Sequence, residues 1–312
     1  MLEKNKIKSE INQKYQAYLQ NYQVSETIDR DWQSRNLYHY TSIKALAGIV
    51  KSQEIHISHF TGMNDTRELF FGLDVLHNVL DKQNMLSNII QEEINAFQQK
   101  SIKILPEVYI FSMSKLKDNV LQWLAYGDNG QGIAIEFNPL NLHKIINEFA
   151  ECSIYRGIIK TFYFESGENH FPPEKYTLVN GNSQEYELMV SNIFKHIVKL
   201  QVSEGIKREL IREYLVLLGS SIKSAFHVDE DETRLIFLLK KNCDKVESYA
   251  EQDNPKMHYK FPISNYLNNE LISKIITGPK TYNNLSAQHS VQKIINKEFS
   301  KIQIVPSLGQ MK

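Results

Sequence analysis

The chain has 312 residues, 42% of them hydrophobic, enough to bury one large core or two modest ones and unlike the composition of a disordered segment. Its 36 basic and 36 acidic side chains cancel, so no general field draws it to nucleic-acid backbones or to anionic lipid. The two cysteines, Cys152 and Cys243, stand far apart outside any CxxC pattern, which argues against a disulfide scaffold or a cysteine zinc site, and no metal is expected.

In chain order, "MLEKNKIKSEINQKYQAYLQNYQ" is too polar for a signal peptide, and no apolar run approaches the roughly 20 residues that span a bilayer. A cytoplasmic protein without a membrane partner is expected. Ile7, Ile11, Tyr15, Tyr18 and Tyr22 recur at the spacing of one helical face and predict an accessory helix. "NLYHY" has the aromatic content of a strand, and Thr41 or Ser42 can cap the helix that carries Leu46, Ile49 and Val50. "EIHISHF" predicts a second strand, "GMND" a turn, "DTRELFFGLDVLHNVLDKQ" a helix starting at Asp65, and residues 86 to 100 a further polar helix. "VYIFSM" predicts a strand, followed by a short helix around Trp123, the loop "GDNGQG", the strand "IAIEF" and a helix over 140 to 149. "SIYRGIIKTFYF" reads as strand, and two long helices are predicted over 184 to 201 and 206 to 226. The strands "TRLIFLL", "MHYKFPI" and "SKIITG", a helix near 286 to 297 and the strand "KIQIVP" complete the chain. Strands fall in clusters without regular β-α alternation, which predicts an α+β fold of mixed strands flanked by helices. With no internal repeat or linker, the simplest division is a helical N-terminal extension over 1–34 and one α+β domain over 35–312.

Four stretches could carry chemistry. The glycines of "YGDNGQG" precede a strand where a phosphate-binding loop precedes a helix, so they read as a turn. In "NDTRE", Asp65 and Glu68 form a helix-start pair that structure alone explains, whereas Asn64 is less easily dismissed and remains a candidate for ligand contact. Trp123 and Tyr126 share a helical face, as core or as a ligand platform; each bears a polar handle that needs a partner if buried. In "FHVDEDETRLIF", four consecutive acids, Asp229 to Glu232, precede an apolar strand, and mutual repulsion should raise at least one of their pKa values. Arg234 lies two residues beyond Glu232 on the same side of a strand and can hold that carboxylate ionised and oriented, as suits a catalytic acid, base or charge stabiliser.

Taken in order, "YHYTS", "MNDTRE", "WLAYGDNGQGIAIEF", "KSAFHVDEDETRLIF" and "IITGPK" resemble the bacterial proteins grouped as domain of unknown function 2971, over roughly residues 36 to 308. The chain departs from that pattern at Thr66, where proline is usual, and at the closing "SLGQMK", which lacks the usual proline and arginine. A second, weaker resemblance is to NAD-dependent ADP-ribosyltransferases of the His-Tyr-Glu type, whose opening strand bears His-x-Thr before a helix like "IKALAGIVKSQEI". That resemblance implies an ADP-ribosyltransferase-like fold with NAD as substrate. His39, Tyr40 and Thr41 would bind it, a loosely matched aromatic, Tyr126 or Trp123, would stack on nicotinamide, and Glu232 would hold a ribose hydroxyl. Asn64 and Asp65 join the expected binding residues, and Arg234 joins Glu232 and His39 as expected catalytic residues. His39 offers both a donor and an acceptor to a ribose hydroxyl, with Tyr38 and Tyr40 as walls; a strand histidine between aromatics can equally be core. Two functions follow. The first is an ADP-ribosyltransferase or NAD-glycohydrolase, as a toxin or phage-defence effector with an unknown acceptor macromolecule. The second is a non-catalytic module that senses a small nucleotide or binds a partner.

Overall fold

The structure, a computed structural model, describes residues 2–19, 36–63, 67–99, 107–148, 153–166, 176–240, 243–251, 254–264, 271–281, 284–298 and 302–309. The chain opens with α1 (Leu2–Leu19), then β1 (Leu37–Thr41), α2 (Ile43–Ser52), β2 (Glu54–His59), α3 (Glu68–Lys82), α4 (Asn88–Gln98) and β3 (Glu107–Ser114). Next come α5 (Val120–Ala125), β4 (Ile133–Phe137), α6 (Pro139–Glu148), β5 (Ser153–Lys160), β6 (Phe162–Ser166), β7 (Tyr176–Leu178), α7 (Ser183–Lys199) and α8 (Glu204–Gly219). The remainder is β8 (Ile222–Ser224), β9 (Glu232–Leu239), β10 (Val246–Glu251), β11 (Asn254–Pro262), β12 (Ile272–Thr277), α9 (Leu285–Glu298) and β13 (Gln303–Pro306). The fold is α+β, as its clustered strands predict, and no helix among the described residues is long and apolar enough to cross a membrane.

Ten strands form a mixed sheet in the order β10-β11-β2-β3-β1-β4-β12-β13, with β9 attached to β3 and β5 to β9. β7, β6 and β8 form a second, small sheet. One face of the large sheet is covered by α3, α4, α7 and α8, whose apolar stripes meet Val108, Ile110, Ile236 and Leu238. The opposite face packs Leu46 and Val50 of α2, Leu142 and Ile146 of α6 and Val291 of α9 onto Phe111, Ile135 and Phe237. The helices α3 and α8 approach closely because Gly72 has no Cβ; one placed there would lie 2.1 Å from the Gly219 carbonyl oxygen. Along α1, Ile7 and Ile11 are buried on the first of these layers, and Glu213 of α8 receives Lys4 at 2.9 Å and Lys8 at 2.5 Å. Tyr22 lies outside the described residues.

One expectation changes and one open choice is resolved. The helix predicted over 206 to 226 ends at Gly219, and the residues after it form β8 and a 3-10 turn, Ala225–Glu230, that both face the site described below. Ser221 ends α8 by donating its hydroxyl to the Leu218 carbonyl at 2.7 Å. Of Thr41 and Ser42, it is Ser42 that caps α2, accepting the Ala45 amide at 3.1 Å.

Buried histidines give this fold a pH signature. His59, 4% exposed, packs against Phe60 and Tyr109, and burial lowers its pKa from 6.5 to about 4. The unfolded chain binds that proton more readily, so the stabilisation is complete above pH 6.5 and is lost as pH falls toward 4. Urea titrations should show stability lower at pH 5 than at pH 7 by on the order of 2 kcal/mol from this group. His59→Gln should flatten that difference; an equally steep dependence in the variant would assign it to other groups.

Candidate active site

The site forms where the sheet forks. Strand β3 pairs with β9 along its whole length, from Glu107↔Leu239 to Ser114↔Glu232. Its other edge is divided: β2 takes Tyr109 and Ile110, β1 takes Ser114, and the two strands diverge over the residues between. His39 closes part of this gap, with Nδ1 2.9 Å from the Ser112 carbonyl oxygen and its ring stacked on Phe111 at 4.2 Å. A carbonyl only accepts, so Nδ1 carries the hydrogen and Nε2 keeps its lone pair. Burial lowers the pKa of His39 and favours this neutral form. The expectation of a donor and an acceptor for the ligand is thereby corrected: Ser112 uses the donor, and the acceptor remains.

Cross-strand partners share a face, so Tyr38, Ser114 and Glu232 project to one side of the sheet while His39 and Phe111 project to the other. On an unbroken sheet His39 and Glu232 would be kept apart. The fork joins them: a cavity of about 890 Å³ contacts both, together with Tyr40, Thr41 and Tyr126. This volume lies toward the top of the range for small-molecule sites. Ser112 touches both groups, through its carbonyl to His39 and its hydroxyl to Glu232.

Glu232 opens β9 directly after Asp231, which turns the chain with a φ of 39°. Arg234 grips its carboxylate from the same side of the strand, Nε to Oε1 at 3.0 Å and Nη2 to Oε2 at 3.0 Å, and Lys223 Nζ stands 3.2 Å from Oε2. Burial acts to raise the Glu232 pKa, but Arg234, Lys223 and hydrogen bonds outweigh it and hold the group at about 2. At Glu232 the effect is therefore the reverse of the rise expected from repulsion within the acidic run, because this carboxylate is paired with Arg234 and Lys223. Arg234 also donates to Ser220 O at 2.7 Å and to Glu68 Oε2 at 2.6 Å. Lys223 reaches Glu230 at 2.6 Å and Glu68 at 3.3 Å. Glu230 accepts the Tyr126 hydroxyl at 3.1 Å and meets His227 Nδ1 at 2.8 Å. Burial pushes the Tyr126 phenol up to about 12, so it remains a donor. Three carboxylates, Glu68, Glu230 and Glu232, thus face two permanent cations, Lys223 and Arg234, leaving an excess of negative charge on this side of the cavity whenever His227 is neutral.

The cavity brings together His39, Tyr40, Thr41, Tyr126 and Glu232. Arg234 stands behind them, 1% exposed, and orients Glu232 without facing the opening. Trp123 is corrected to a core role: it is fully buried, donates Nε1 to Asp118 at 2.7 Å and meets the Tyr40 ring edge-on. Its polar handle found a partner in the loop before α5, so it does not line the cavity. Tyr38 and Tyr40 are not side walls for His39, since both turn to the opposite face. The Tyr40 hydroxyl, donating to Leu116 O at 2.7 Å and accepting from Asn119 N at 3.1 Å, positions the turn into α5. Asn64 and Asp65 lie outside the described residues. The glycine loop stays off the cavity, and Gly132 is there because a Cβ would sit 2.2 Å from the Thr41 carbonyl oxygen. Sequence reasoning missed Glu68, Lys223, Glu230 and Ser112; Glu68 was visible only as a helix-start residue, and its side chain serves the ion network instead.

Residues 122–235 match the model of a family described as "Protein of unknown function (DUF2971)". The matched stretch runs from α5 into β9 and contains Tyr126, Lys223, Glu230, Glu232 and Arg234, while His39 and Glu68 precede it. No curated protein and no solved structure matches the chain.

Proposed function

We propose that the protein is an NAD-dependent ADP-ribosyltransferase or NAD-glycohydrolase, acting as a toxin-like or phage-defence effector. The observation that carries this reading is the shared cavity of His39 and Glu232, which is lined by a carboxylate kept ionised and by a histidine whose acceptor nitrogen is not used by Ser112. Cleavage breaks the bond between ribose C1′ and the nicotinamide nitrogen, whose positive charge is neutralised by the departing electron pair. Positive charge then gathers on the ribose, and a fixed carboxylate stabilises that state more than the ground state. The acceptor nucleophile, or water, forms the new bond at C1′ and releases a proton. In this scheme Glu232 stabilises the sugar cation, His39 Nε2 accepts a ribose hydroxyl, Thr41 supplies a further hydroxyl and Tyr126 offers a ring to nicotinamide.

Incubating the purified protein with NAD labelled in its ADP-ribose half, alone and with protein and nucleic-acid acceptors, tests the proposal. Release of nicotinamide is expected; intact NAD and unlabelled acceptors in every mixture would reject it. His39→Asn is a sharper probe, because the amide can still donate to Ser112 O but loses the acceptor that the ring carries at Nε2. Turnover is expected to fall about tenfold or more while stability changes by only about 1–2 kcal/mol, mainly from the lost stacking.

A second reading, a ligand-sensing module, is favoured by one specific observation. Both Glu232 oxygens already accept from Arg234, and one also meets Lys223, as in a structural ion pair. A panel of nucleotides that raises the melting temperature without nicotinamide release would favour the module.

A further inference from the structure

The cavity gathers carboxylates around Glu232 on one side and basic side chains on the other. Against the carboxylates around Glu232 stands the polar face of the β2-β11 ribbon, where Ile55, Ile57, Tyr259 and Phe261 point into the core and the alternate residues point out. His258 pairs with Ser58 in register, with Ser58 Oγ 3.4 Å from His258 Nδ1, and the His56 and His258 rings lie 5.8 Å apart. Lys256 follows the same alternation on β11, and all four of these residues line the cavity. Glu54 also lines this side, 3.9 Å from Lys260 and 3.9 Å from His56. β3 lies between β9 and β2, so His56 stands two strand spacings, about 10 Å, from β9, while Lys256 and His258 on β11 stand three spacings, about 14 Å, from it.

We infer that Lys256, His258 and His56 form an anion subsite for the phosphate groups of the ligand, so that the cavity selects molecules with a cationic centre at one end and a phosphate or diphosphate at the other. Building on the NAD reading, this assigns the diphosphate to the β2-β11 ribbon and the nicotinamide-ribose bond to Glu232. The chemistry is complementary at both ends. A phosphate oxygen accepts the charge-assisted hydrogen bonds that ammonium and imidazole donate, whereas the same anion beside Glu230 and Glu232 would be repelled. The Ser58 hydroxyl adds a neutral donor. An uncharged nucleoside would use neither of the two fields.

The test is calorimetric titration of the full chain with inorganic pyrophosphate, ADP-ribose and nicotinamide riboside, on wild type and on Lys256→Gln and His258→Gln. Expected are binding of pyrophosphate and ADP-ribose by the wild type, about tenfold weaker binding of both in each variant, and unchanged affinity for nicotinamide riboside. Both substitutions lie on a partly exposed strand face away from the core, and the riboside affinity verifies that each variant is folded. Pyrophosphate bound and lost on substitution, with no NAD cleavage in any condition, would uphold the subsite and overturn the enzyme. NAD cleaved with the same KM in wild type and both variants would do the reverse. Absence of pyrophosphate and ADP-ribose binding to the wild type at millimolar concentration would overturn the subsite without recourse to the variants.

Discussion

Glu232→Gln is expected to lower NAD turnover by about 100- to 1000-fold, the scale on which one preorganised electrostatic group acts on a charged transition state. The substitution keeps the shape and removes the charge. Glutamine can still accept from Arg234 through its carbonyl oxygen, but its amide faces Lys223, which stands 3.2 Å from Oε2 in the wild type. Arg234 retains Glu68 and the Ser220 carbonyl, and Lys223 retains Glu68 and Glu230, so the variant loses some stability but still folds. Ligand affinity should change much less than turnover, since the carboxylate gains its advantage only as the sugar becomes cationic. The measurement is nicotinamide release under saturating NAD, beside a melting curve. A variant that folds, binds NAD and turns it over at the wild-type rate would leave Glu232 as a structural ion and remove the basis of the enzymatic reading.

Local features were legible in the sequence. The β1-α2 unit followed from aromatic residues and a hydroxyl cap within seven positions, and the Glu232-Arg234 pair followed from strand periodicity across two residues. What escaped depended on distant partners. Glu68 has all the features of a helix-start residue, yet it meets Arg234 across 166 positions, and nothing local distinguishes those two uses. Lys223 reads as helix in the sequence because "SSIKSAF" contains neither glycine nor proline and the apolar spacing of α8 runs on into Ile222. Trp123 and Tyr126 share a helical spacing, but only the fold separates them, sending the indole to Asp118 and the phenol to Glu230. The fork that unites His39 with Glu232 is also invisible in one dimension, since it arises from two strands dividing one edge of a third.

The same network predicts a large loss of stability when its guanidinium is removed. Arg234 is fully inside, 1% exposed, and holds two carboxylates and a backbone carbonyl with one guanidinium. Arg234→Gln leaves Glu68, Glu230 and Glu232 gathered around Lys223 alone, and breaking a buried pair by removing one partner costs about 3–5 kcal/mol, because the remaining charge stays desolvated. The Glu232 pKa, held at about 2 largely against burial by Arg234, should rise in the variant. Its sign is fixed by linkage. In the wild type the depressed pKa stabilises the fold above the unfolded value near 4.5, and that contribution disappears as pH falls toward 2. In the variant the gap between folded and unfolded pKa narrows, so a smaller part of its stability depends on acid titration, and a folded pKa above the unfolded one would invert the slope. Lysine at this position restores a charge but cannot make the two parallel contacts of a guanidinium, so Arg234→Lys should recover only part of the loss. Urea midpoints of wild type, Arg234→Gln and Arg234→Lys between pH 3 and pH 8 would measure both effects; equal midpoints for all three would mean that the guanidinium neither holds Glu232 nor supports the fold.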